Sequence, residues 1–360
     1  MKSISIFKVN AGLLTIILTG VILYYGKEFL VPLFFAILLS MLLLPVCRRL
    51  ERWGVGRIWS TLAGALIIVL LVAGLFGIII AQGASISEDL PQMQVQAEKL
   101  FEQLQQWVQA RYGMGKQEQL SYLQKGVDKL SSSGSQLAAD FLSGAMGFLT
   151  GFVLILLYFF FLMWKREKYR EFFLKLVAEE NRREMGRELD EISRVAGQYL
   201  IGRLVSMAFL AVFYMIGFSV VGMENALLIA MVAVLPTLVP YVGAFVGGFF
   251  PLAMAMLSGS SEMIMPVVII LVVAQAIDNN IIEPLVEGES LNISPIFTII
   301  GIVLGGILWG VAGMILFIPM FAILKIICDH IPALHPYSFL LKNDIGESKW
   351  MEKIKGWFGK

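Results

Sequence analysis

QAIDNNIIEPLVEGESLNISP, Gln275–Pro295, begins in the last three residues of the apolar run MIMPVVIILVVAQAI, Met263–Ile277. The stretch lies in a block, Leu204–Leu324, that contains no Lys or Arg and only six acidic residues. Four of those six, Asp278, Glu283, Glu287 and Glu289, fall inside it. A long cation-free apolar block belongs in the hydrocarbon of a bilayer, where one helical span takes about 20 residues. An acidic side chain at a span centre costs about 2.5–3.5 kcal/mol unless it faces protein, water or an ion. On a helix, Asp278, Ile281 and Ile282 share one face, and Asn279 and Glu283 another. Pro284 lacks an N–H and crowds the preceding turn, so the helix is expected to break there and leave free carbonyls beside the carboxylates. Carboxylates, amides and unpaired carbonyls together make a site for a hard cation or a hydrogen-bond donor.

Composition extends the membrane reading to the whole chain. Of 360 residues, 58% are hydrophobic and 15% charged, with a mean hydropathy of +0.79. Soluble domains carry roughly 25% charged residues, so the reading is an all-α polytopic membrane protein. A net charge of +1 conceals strong segregation. Basic residues crowd into Arg48–Arg57, Lys165–Arg203 and the tail from Lys325. By the positive-inside rule these segments, and both termini, are expected in the cytoplasm. Cys47 and Cys328 sit at such ends and read as reduced thiols.

In chain order, residues 1–82 hold N-terminal membrane helices. Ala11–Gly26, read as a retained anchor, and Phe29–Cys47 are joined by the polar tip Lys27–Glu28, and Ile58–Gln82 follows. Residues 83–144 form an extracytoplasmic helical segment. There Met93, Ala97, Leu100, Leu104, Trp107 and Val108 repeat at helical spacing, a second helix is expected over Gln117–Leu130, and SSSGS is a flexible joint. The uncovered apolar stripe points to a homo-oligomer. Residues 145–203 supply a span, Ala145–Trp164, and two cytoplasmic amphipathic helices whose mixed charge is that of solvated faces rather than of a nucleic-acid surface. Residues 204–327 are the C-terminal core, and 328–360 a cytoplasmic tail with a basic amphipathic end suited to membrane lipid.

Within the core, a fifth span (Leu204–Val221) and a sixth (Met263–Ile282) accompany two longer interrupted units. PTLVPYVGAFVGG (Pro236–Gly248) interrupts Leu227–Leu257, and GGILWGVAG (Gly305–Gly313) interrupts Ile296–Ile327. Each unit suits a hairpin dipping partway into the bilayer, although eight to ten shorter spans fit the charge pattern equally. A single span between two hairpins makes them enter from opposite faces, the inverted-repeat pattern of secondary transporters.

These residues also carry a resemblance. VLPTLVPYVGAFVGGFFP and AIDNNIIEPLVEGESLNISPIFTIIGIVLGGILWGVAGMILFIPMFAILK, with PLFFAILLSMLLLPVCRRLERWGVGR and QYLIGRLVSM earlier, resemble the autoinducer-2 exporter family of bacterial permeases. The resemblance covers most of the chain. It implies a PerM-like transporter of the bacterial inner membrane, exporting autoinducer-2 or a related small polar solute, or else a sodium(lithium)/proton antiporter. Pro240, Gly243 and Gly247 match the first motif, and Asp278, Asn280 and Pro284 the second. Pro295, Gly305, Gly306, Gly310, Gly313 and Pro319 match the third.

The candidate solute- and ion-binding set is therefore Asp278, Asn279, Asn280, Glu283, Pro240, Gly243, Gly247, Gly306 and Gly310. Proton or sodium coupling falls to Asp278, with Glu283 second. The plainer reading of the acids is a polar helix end, and that of the Gly301–Gly313 glycines is tight helix packing. Arg203 is the nearest cation N-terminal to Asp278, so a distant salt bridge is a further alternative. Trp309 and Tyr158–Phe161 read most simply as interfacial or lipid-facing. Cys328, Asp329, His330 and His335 lack zinc spacing, so no metal or cofactor is expected. HExxH, GxSxG and phosphate-binding glycine loops are absent, and an enzyme is not expected. A membrane scaffold is the rival class, but it leaves Asp278 without a purpose.

Overall fold

The computed structural model describes residues 6–78, 147–257, 261–287, 293–331 and 334–343, and these are almost wholly helical. Among them β pairing is limited to one isolated antiparallel bridge, Ile293–Lys342. The expected helices at Met93–Val108 and Gln117–Leu130, and the basic end of the tail, lie outside the described residues. The elements are α1 (Ile6–Tyr25), α2 (Lys27–Arg52), α3 (Arg57–Ile78), α4 (Gly147–Trp164), α5 (Arg166–Lys175) and α6 (Arg182–Val221). They continue as α7 (Ala226–Val234), α8 (Val242–Leu257), α9 (Ile264–Ile277), α10 (Glu283–Glu287), α11 (Pro295–His330) and α12 (His335–Leu341). By length and composition, 6 helical stretches are apolar enough to cross a membrane: α2, α3, α4, α6, α9 with α10, and α11.

The chain divides into two compact units. One comprises Met1–Thr61, Tyr158–Arg203 and Pro284–Lys360, the other Leu62–Leu157 and Leu204–Glu283. The second is built on the apolar half of α6. Leu210, Tyr214 and Phe218 recur every fourth residue, line one face and bury against α7 and against Val267, Leu271 and Ala274 of α9. Gly217 lets α9 approach, since a Cβ there would meet Ile270 at 2.9 Å. The first interrupted unit is a helical hairpin. α7 tightens into a 3-10 turn, Leu235–Leu238, the chain reverses through Val239–Tyr241, and α8 returns. A Cβ on Gly243 would lie 2.0 Å from the Pro236 carbonyl oxygen, and one on Gly247 2.0 Å from that of Ala233. Backbone packs on backbone at both positions, and no side chain fits.

In the first unit, α11 is two arms folded back at Gly310, whose φ of 63° and ψ of −143° suit glycine alone. An ideal Cβ on Gly301 would be 3.0 Å from Phe321, and one on Gly305 would be 2.3 Å from the Gly313 oxygen. In a straight helix residues 301 and 321 would stand about 30 Å apart. The second interrupted unit is thus also a hairpin. Trp309, next to the turn, is buried, donates Nε1–H to the Leu23 carbonyl at 2.8 Å and packs between Phe34 and Phe317. This corrects its reading as lipid-facing: the indole N–H finds its partner in α1, not at a headgroup. Phe159, from the supposed lipid-facing aromatic run, is also fully buried.

Two further expectations change. The second cytoplasmic helix and the fifth span are one helix of 40 residues, α6: no Pro interrupts it, and Gly197 and Gly202, where its charge ends, are carried within the helix. Lys27 and Glu28 occupy the first turn of α2 rather than a loop. The hydrogen-bond ladder is carried through Gly26, whose N–H bonds Ile22 and whose C=O accepts from Leu30, both at 2.8 Å.

Candidate functional site

Asp278 ends α9 and is 3% exposed. It stands in register with the buried Val267, Leu271 and Ala274, so the face that packs on α6 runs directly into a carboxylate. The α6 residue that meets it is Ser206, 1% exposed, one helical step before Leu210, Tyr214 and Phe218. Its Oγ lies 2.7 Å from both Asp278 oxygens, so the hydroxyl donates to the carboxylate from a position astride it. One turn back along α9, the Gln275 amide donates to the Tyr214 hydroxyl at 3.0 Å, and Tyr214 stacks on Phe218. An otherwise apolar helix pair therefore carries two adjacent polar rungs.

The backbone at Asp278 is also unusual. Asp278–Ile282 form one turn of π-helix, in which the Glu283 N–H bonds the Asp278 carbonyl five residues back. Pro284 explains the wide turn. In an α-helix its ring would press on the carbonyl of Asn280, and the extra residue in the turn relieves that contact. The expected break at Pro284 is accordingly corrected. The helix passes through the proline into α10, at the cost of regular bonding beside the buried acid. Such π-bulges occur frequently at functional sites.

The other candidates are distributed as follows. Asn279 and Asn280 are exposed, and the Asn280 amide bonds back to the Ala276 carbonyl at 2.8 Å. Glu283 is half-buried. Pro240 lies in the tip of the α7–α8 hairpin, followed by Tyr241, whose φ of 61° is a strained value for a bulky residue. Gly243 and Gly247 permit that hairpin's close packing. Gly306 faces the flexible end of Met314, and Gly310 forms the turn of the other hairpin with open space around it.

Ser206, Tyr214 and Gln275 were not singled out by the sequence. The usable signal was the four-residue spacing of Ser206 with Leu210 and Tyr214, which sets a hydroxyl on the buried stripe. Among the described residues no group of three or more His, Cys, Asp or Glu side chains could hold a metal. In the tail, Asp329 accepts a short hydrogen bond from Ser338, and both cysteines are free and buried.

Comparison with known proteins places the sequence among membrane transporters. The profile of the AI-2E family transporters matches residues 13–333. YueF of Bacillus subtilis (strain 168), whose name proposes transport, is 27% identical over 322 residues, covering 82% of this chain and 84% of YueF. PerM of Escherichia coli (strain K12), named as a proposed permease, is 26% identical over 323 residues, 87% of this chain and 91% of PerM. TqsA of the same strain, named as an AI-2 transport protein, is 22% identical over 329 residues, 88% of this chain and 89% of TqsA. The relatives are named for transport or permeation rather than for catalysis. A multi-pass helical chain with two glycine-dependent hairpins, matched over most of its length by one profile, belongs to the AI-2E family of membrane transporters.

Proposed function

We propose that this protein is a gradient-coupled secondary transporter that exports a small polar solute, with Asp278 as its coupling group. The observation that carries the reading is a carboxylate 3% exposed in an apolar helix, held by a buried hydroxyl at a π-turn. A carboxylate there can take up and release a proton or a sodium ion, and its hydrogen bond to Ser206 changes when it does. The α7–α8 hairpin, turning at Pro240 and the strained Tyr241, and the hairpin turning at Gly310 are the elements suited to alternate between arrangements. The name of TqsA makes autoinducer-2 the first solute to test.

The test is flux in proteoliposomes with imposed proton and sodium gradients. Asp278→Asn keeps size and much of the hydrogen bonding but cannot exchange a proton, so gradient-driven flux should be lost while the protein still accumulates in the membrane. Asp278→Glu should retain part of the flux, and Ser206→Ala should shift its pH dependence. Transport by Asp278→Asn at the wild-type rate, with unchanged pH dependence, would remove Asp278 from the mechanism. Sodium- or lithium-driven proton movement without any organic solute would instead make the protein an antiporter.

A further inference from the structure

At the basic end of α2 the first unit holds a cavity of about 570 Å³, within the size range of small-ligand sites. Arg48 and Arg52 stand four residues apart on α2, and Arg194 and Gln198 four apart on α6. Each pair therefore shares a helix face, and all four residues line the cavity. The helices come together nearby because Gly197 lies against α2, where even a Cβ would sit 3.2 Å from the Met41 carbonyl oxygen. The one carboxylate in the lining, Asp190, is held by Arg170 through bonds of 2.6 and 2.9 Å. It also lies within electrostatic reach of Arg48, but one carboxylate balances only one of the lining's four arginines. Among the described residues Arg48, Arg52 and Arg194 make no ion pair within 4 Å, so the lining of one cavity carries three exposed arginines without such a partner.

Along the same helix faces the lining continues as apolar side chains, Leu44 and Pro45 on α2 and Ile201 on α6, and Ile201 is 43% exposed. A smaller adjoining cavity of about 210 Å³ shares Arg48 and Ser193 with the first. Ser40 and Arg166 are among its lining residues; the Ser40 hydroxyl and the Arg166 Nε and Nη1 atoms are buried without hydrogen-bond partners among the described residues, while Arg166 is ion-paired with Glu51 and Glu167. This is also the level at which α2 passes from its apolar run to Arg48 and Arg49, and at which α6 passes from charged to apolar sequence. Arginine forks match phosphate oxygens, and an apolar lining at the membrane–water boundary matches acyl chains.

We propose that this cavity binds the phosphate headgroup of an anionic membrane phospholipid, with Arg48, Arg52 and Arg194 on the phosphate and the acyl chains along Leu44, Pro45 and Ile201. The purified full chain, analysed by native mass spectrometry, should retain phosphatidylglycerol in preference to phosphatidylcholine of identical acyl chains. Replacing Arg48→Gln, Arg52→Gln and Arg194→Gln together should lower that retention at least about tenfold, and the corresponding triple change to Lys should keep most of it. Lys168→Gln, Lys175→Gln and Arg183→Gln remove the same charge outside the cavity and should leave retention unchanged. Equal retention of the two lipids by the wild type overturns the proposal, whatever the variants do, as does equal loss in the two Gln triples. Release of the bound lipid by millimolar inorganic phosphate would overturn the lipid assignment in favour of a soluble phosphate ester.

Discussion

Asp278 and Trp309 are both polar-tipped residues in apolar helices, and each is buried with a partner far away in the chain. Asp278 meets Ser206, 72 positions away, and Trp309 meets Leu23, 286 positions away. Their energetics differ. The indole makes a neutral hydrogen bond whose net worth is about 1 kcal/mol, and its ring supplies packing against Phe34 and Phe317. Trp309→Phe keeps most of the ring contact and loses the bond. It should lower thermal stability in detergent by about 1 kcal/mol while leaving flux intact. A much larger loss, measured by unfolding of the purified protein, would show that the indole holds more than the Leu23 carbonyl. At Asp278 the bond is charge-assisted and worth about 1.5–3 kcal/mol when the carboxylate is ionised, so Ser206→Ala should act on function more than on accumulation.

At the scale of elements, the hairpins separate two uses of glycine. Gly305 and Gly313 permit backbone-to-backbone contact, and Gly310 supplies a conformation that other residues reach only with strain. Gly306 does neither, because the atom it faces is the end of a methionine side chain. Gly310→Ala should therefore destabilise by about 1–3 kcal/mol. Gly305→Ala should be the most damaging of the series, since no rotamer change relieves a 2.3 Å approach to a carbonyl, and Gly306→Ala should be near neutral. Thermal midpoints of the three variants give the order directly.

Between α5 and α6, the Arg170 guanidinium hydrogen-bonded to Asp190 holds that carboxyl below its ordinary value of 3.8, with partial burial opposing it. A depressed acid stabilises above its unfolded-state pKa and loses that contribution as pH falls through the folded value. The Tm difference between wild type and Asp190→Asn should be constant from neutral pH down to about 5 and disappear as pH falls below 3.8. It should also be small, because the side chains are 35% and 55% exposed.

At the scale of the whole molecule, charge segregation yields a prediction of sidedness: the positive-inside rule puts Arg48–Arg57 and Lys165–Arg203 in the cytoplasm and so residues 85–140 on the opposite side. In intact cells Gln105→Cys should react with an impermeant thiol reagent, and Glu180→Cys should not. The native Cys47 and Cys328 are buried and should contribute little background. Reversed labelling would overturn the orientation and with it the direction assigned to transport.

What was legible in the residues alone was whatever depends on solvent and local backbone. A block without cations belongs in lipid, Pro240 and Gly310 interrupt helices, and an acid at the end of an apolar run needs a reason. Each of these follows from composition, or from the conformations a single residue can adopt. The tertiary structure decided the remainder. Hydropathy cannot distinguish a side chain facing lipid from one facing another helix, because both surroundings are equally apolar. Trp309 and Phe159 therefore read as lipid-facing by pattern and are buried by packing. The turn at Pro284 also differs from its expected break. The hydrogen-bonded ladder absorbs one extra residue there, a π-turn at Asp278–Ile282, instead of breaking. The pairing of Ser206 with Asp278 depends on the register between α6 and α9. That register is set where Tyr214 bonds Gln275 and Gly217 packs on Ile270, a fit that exists only when both helices are present.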